Sequence, residues 1–170
     1  MKKLVFVFTT LVALTFSQKA TAQGTIVDAA VSNENFTTLV AALKAADLVE
    51  ALQGDGPFTV FAPTNDAFAK IDEATLGNLL KPENKETLSK ILTYHVVSGK
   101  LMASDVVAAL KKGKGKVELE TLAGQMITVM QKDGKIWLKD QAGNYSEITA
   151  TDVAGSNGVI HVIDTVVMPK

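Results

Sequence analysis

His95 and His161 are the only imidazoles in this 170-residue chain, and it contains no cysteine. That leaves little from which to build a reactive centre. Without a thiolate there is no cysteine nucleophile, redox pair or sulfur-ligated metal. A zinc or iron site needs three or four ligands, so both histidines would have to converge with carboxylates. Each lies instead in an apolar run, Ile91-Leu92-Thr93-Tyr94-His95-Val96-Val97 and Val159-Ile160-His161-Val162-Ile163. No H-E-x-x-H, G-x-S-x-G, P-loop or G-x-G-x-x-G motif occurs. Gly113-Lys114-Gly115-Lys116 lacks the strand and helix that flank a phosphate loop, and Asp72-Glu73 reads as the acidic start of a helix. No catalytic, cofactor-binding or metal-ligating residue is therefore assigned, no cofactor is expected, and a hydrolase is the weakest of three readings. Strand alternation through Tyr94-His95-Val96-Val97 places His95 on one face with Val97, where a buried ring needs a polar partner. Asp66 is the expected partner. His161, alternating with Val159 and Ile163, reads as a second core histidine.

The elements that must hold these residues fall into two halves. In the first, Thr25 can cap a short turn, and Asn33 or Asn35 a longer helix with Phe36, Leu39, Val40, Leu43, Ala46 and Leu48 at helical spacing. Phe58 to Phe61 reads as a short buried strand stopped by Pro63, which cannot donate to a ladder. Thr64 then caps a helix whose first turn holds Asn65 and Asp66. Asp72 to Leu80 forms another helix, and Pro82 opens the next, with Leu88, Ile91 and Leu92 as its buried stripe. Ser104 is expected to cap the last helix. The second half turns to strands: Val117 to Thr121, Gln125 to Gln131, Lys135 to Lys139, Tyr145 to Thr149 and Val159 to Val167. Asp133-Gly134 supplies a two-residue hairpin turn. Helices first and antiparallel strands later define an α+β domain.

Three blocks in order, Gly56 to Phe68, then Ile91 to Val97 with its Tyr94-His95, then Asn157 to Pro169, resemble the signature motifs of the fasciclin domain family. The resemblance covers roughly residues 24 to 169. It implies a wedge-shaped, mainly antiparallel β-sheet assembly with several short helices along one edge. It also implies that Tyr94-His95 corresponds to a motif linked in animal members to integrin binding, with Thr64, Asn65, Asp66 and His161 as structural motif residues.

Residues 1–22 read as a signal peptide. Met1-Lys2-Lys3 precedes an apolar run too short to span a bilayer, and Ala20-Thr21-Ala22 offers a cleavage site. Cleavage after Ala22 would leave residues 23–170 as a single domain, periplasmic or extracellular. It would also leave 14 lysines against 18 acids, a net of −4, with no arginine anywhere. Such a balance disfavours nucleic acid, and no stable membrane insertion is expected. The lysine run at Lys111 to Lys116 reads as a solvated turn. The leading expectation is a non-enzymatic exported interaction module, engaging a protein or polysaccharide on a cell surface or matrix. The alternative is a soluble carrier of an apolar small molecule, drawing on Met102, Met126, Met130 and Met168. Met126, Thr128 and Met130 share one strand face, expected to point to the core.

Overall fold

In a computed structural model, which describes residues 24–170, seven helices and seven strands form one α+β unit. The helical half comprises α1 (Ile26–Val31), α2 (Thr37–Ala45) and α3 (Val49–Gln53). After the first strand come α4 (Asn65–Ala69), α5 (Glu73–Leu79) and α6 (Lys85–Tyr94), and α7 (Ala103–Lys112) leads into the strand-rich half. Local chemistry sets several of these starts. The Thr25 hydroxyl and Asp28 carboxylate cap α1 reciprocally. Asn33 caps a 3-10 turn at Glu34–Phe36 that runs into α2. Thr64 accepts the Ala67 N–H at 3.2 Å to open α4, as its position after Pro63 predicts. Ser104 does not cap α7. The helix begins two residues earlier, at Ala103, and its free N–H groups are taken by carboxylates: Asp105 accepts Met102 N–H at 3.0 Å and Asp152 accepts Ala103 N–H at 2.8 Å.

The strands are β1 (Phe58–Pro63), β2 (Val96–Ser98), β3 (Lys116–Glu120), β4 (Met126–Lys132), β5 (Lys135–Lys139), β6 (Tyr145–Gly155) and β7 (Gly158–Ile163). They hydrogen-bond in the order β2-β1-β7-β6-β5-β4-β3. A single bridge between Val97 and Thr121 brings the two edges together, so the sheet curls almost closed. All pairings are antiparallel except β1 with β7, which runs parallel from Phe58↔Gly158 to Pro63↔Ile163. That pair explains the nearly continuous apolar runs in both strands, because a strand covered on both faces has no solvent side to alternate toward. Val60, Ala62 and Ile160 face the core under the helices. Phe61 and Ile163 face a second core inside the curl, with Leu110, Ile127, Val129 and Leu138. Asp133 and Gly134 both have positive φ, +54° and +78°, as a tight β4–β5 turn requires. β6 runs six residues beyond its expected end, through two register shifts against β7 and a positive φ at Asp152. β7 stops at Ile163, because the Asp164 carboxylate turns the chain by accepting Glu147 N–H at 2.8 Å.

Candidate functional site

Tyr94 is the last residue of α6 and His95 flanks its end, so the expected strand at this point begins only at Val96. Helical rotation, not strand alternation, therefore aims the two side chains. Both are buried. The Tyr94 ring is fully enclosed beside Phe61 and Leu110 in the inner core, and its hydroxyl donates to Met126 O at 3.0 Å. Burial pushes the phenol above its ordinary value, an effect partly offset by the Gln141 backbone amide facing the oxygen.

His95 Nδ1 lies 2.7 Å from Ile91 O, one helical turn back, and Nε2 lies 3.2 Å from the amide of Val167. Only one tautomer satisfies both: Nδ1–H donates to the carbonyl and Nε2 accepts from Val167 N–H. Burial lowers the imidazole to about 4, against smaller opposing contributions from the Ile91 carbonyl and the Asp140 carboxylate. The expected Asp66–His95 pair does not form. Asp66 is exposed on α4, and two backbone groups already saturate the ring.

The other motif residues also tie segments together. Asn65 accepts from the Thr37 hydroxyl at 3.1 Å and the Thr38 amide at 3.0 Å, and donates to Glu34 O at 2.9 Å, fixing α4 to the start of α2. His161, 1 % exposed, stacks tilted on Phe61 with centroids 5.9 Å apart and donates through Nε2 to Leu101 O at 2.7 Å. Two residues that single-sequence reasoning missed do comparable work. Asn157 accepts Ile26 N–H at 2.9 Å and donates to Leu52 O and Gly54 O at 2.8 and 2.9 Å. Asp140 accepts from Asn144 and from the Met168 amide at 3.0 Å, holding the C-terminal segment beside the Tyr94-His95 corner. Its spacing in Asp140-Gln141-Ala142-Gly143-Asn144 is a turn signal that could have marked it.

Outward, the site has a different character. Met126, Thr128 and Met130 do not face the core: Ile127 and Val129 do, and the methionine face is solvent-exposed or half-exposed. Both faces of β4 are apolar, so composition could not fix the parity. Trp137 and Tyr145 share this outer face, and the Lys139 ammonium sits 5.4 Å from the Tyr145 ring centre. Beneath α1, an apolar cavity lined by Ile26, Leu43, Val60 and Ile160 has a volume of about 20 Å³, room for one water-sized molecule. Among the described residues, no three His, Asp or Glu side chains are placed to hold a metal ion.

The geometry is that of a structural domain whose reactive-looking groups are spent on holding its own segments together. A fasciclin domain model matches residues 34–169. The chain is 53% identical over 154 residues to Protein sll1483 of Synechocystis, covering 90% of this chain and 78% of that protein. It is 34% identical over 158 residues to Immunogenic protein MPB70 of Mycobacterium bovis, covering 90% of this chain and 73% of that one. A solved FAS1 domain pair from the insect cell adhesion molecule Fasciclin I superposes with a TM-score of 0.73 at 21% identity, over 84% of this chain and 50% of that one. The chain belongs to the fasciclin domain family. Among the described residues no helix is long and apolar enough to cross a membrane. The expected signal peptide, residues 1–22, and its cleavage site after Ala22 lie outside them.

Proposed function

We propose that the protein is a non-enzymatic interaction module, exported with loss of residues 1–22, that attaches to a protein or polysaccharide on a cell surface or matrix. One observation carries this reading. Tyr94, His95 and His161 are enclosed and hydrogen-bonded within the fold, while the sheet between β3 and β6 turns Met126, Trp137 and Tyr145 toward solvent. Buried, partnered side chains stabilise a scaffold, and partly exposed aromatics and methionines supply contact surface. Tyr94-His95 then supports the binding surface from within and does not itself touch the partner. The cavity beneath α1, about 20 Å³, is too small to enclose a ligand, and the larger clefts, such as the one lined by Val97, Leu101, Leu119 and Leu122, lie open to solvent, which favours a binding surface over an enclosed carrier.

Deleting the gene in its native host should reduce attachment of cells to their surface or matrix, and the restored gene should return it. Labelled protein should bind those cells saturably, and intact mass of the exported form should begin at Gln23. Unchanged attachment together with no saturable binding would reject the adhesion reading.

A further inference from the structure

Two rows of side chains cross the outer face of the β3–β6 sheet. Paired residues run Lys116, Met130, Trp137, Glu147 in one row and Glu118, Thr128, Lys139, Tyr145 in the next. All eight are exposed or half-exposed. The first row reads positive, apolar, apolar, negative. Turned end for end, it is its own complement: Lys116 meets Glu147, and Met130 meets Trp137. The same turn sets the Glu118 carboxylate against the Tyr145 hydroxyl and Thr128 against Lys139. Salt bridges within the chain, Lys116–Glu118 at 3.0 Å and Lys135–Glu147 at 2.7 Å, hold the row's charged ends in place.

We propose that this face docks on a second copy of the chain, about a two-fold axis running along the strands between β4 and β5. Such an isologous contact uses the same patch on both partners, and each opposite-charge or sulfur–aromatic contact occurs twice. Four strands ~4.8 Å apart and two rows, each spanning ~6.8 Å of strand, give ~260 Å² per partner. The total of ~520 Å² is well below the ~1,200 Å² of a stable complex, so the dimer is weak and reversible. A weak dimer gives a one-domain protein two outward surfaces, and dense display on a cell would populate it. The inference stands whether or not the adhesion reading holds.

The test is sedimentation of the purified protein over a concentration series, followed in parallel by tryptophan emission. Trp137 is the only tryptophan, so emission reports this face alone. The mean mass should climb from one chain toward two as the emission shifts to the blue, and Trp137→Ala should weaken association about tenfold or more. Lys116→Glu and Glu147→Lys should each stay monomeric, because each places like charges opposite one another. Mixed in equal amounts they should associate, since both contacts are then of opposite sign. A single-chain mass up to ~1 mM would overturn the proposal. So would a mixture no better than either variant alone. An emission shift on adding a neutral polysaccharide, with the mass still that of one chain, would reject the dimer and assign the face to a glycan.

Discussion

Acid should loosen this protein through one side chain. His95 is enclosed and neutral, with Nδ1–H donated to Ile91 O and Nε2 accepting from Val167 N–H. A proton arriving on Nε2 would point at the Val167 amide, donor against donor. The folded ring therefore resists protonation down to about 4, whereas an unfolded histidine titrates near 6.5. Because the folded value is depressed, its stabilising contribution is complete above pH 6.5 and is lost as pH falls toward 4. At pH 5 the unfolded chain binds this proton and the native chain does not, a loss of about 2 kcal/mol. Near pH 4 and below, the loss levels off at about 3 kcal/mol. Against a total of ~5–15 kcal/mol that is a large fraction. Denaturant midpoints measured from pH 7 to pH 5 catch the His95 contribution before most carboxylates titrate. Nuclear magnetic resonance of the two imidazoles separates them ring by ring. The Val167 amide should lose its hydrogen-exchange protection early as pH falls. A folded His95 that titrates near 6.5, or midpoints unchanged between pH 7 and pH 5, would refute this account.

Removing the Tyr94 ring should lower stability by ~3–5 kcal/mol, and Tyr94→Phe by ~1–2 kcal/mol for the lost bond to Met126 O, both read from urea midpoints. A Tyr94→Ala protein with parental stability and no surface binding would show that the residue acts in recognition. Asp66→Ala should change the midpoint by ~0.5 kcal/mol or less, because the side chain is exposed, while Asn65→Ala should cost ~1–3 kcal/mol by freeing three bonded groups. Gly158→Ala should be among the most damaging substitutions in a thermal melt. A Cβ there would run into the Phe58 carbonyl oxygen, where β1 and β7 lie side by side as parallel partners. A parental melting temperature would show that the two strands can part at little cost.

What the amino-acid order determined by itself is local. Thr64 after Pro63, Asp133-Gly134 between two strand runs, and the apolar stripe of Leu88, Ile91 and Leu92 each act within a turn or two of chain, so short-range chemistry fixes them. The α+β organisation and the three fasciclin blocks were legible for the same reason. The sequence also left open several features that only the assembled fold decided. The run from Ile91 to Val97 is apolar enough for a helix end or a strand, and packing of Tyr94 into the inner core settled it as a helix end. The partners of His95 are Ile91 O and the Val167 amide, and Val167 lies 72 residues away. Backbone groups carry no side-chain signature, which made the carboxylate of Asp66 look the better partner. The outward turn of Met126 and Met130 likewise depended on register. With apolar residues on both faces of β4, only pairing with β3 and β5 could choose which face the core would cover.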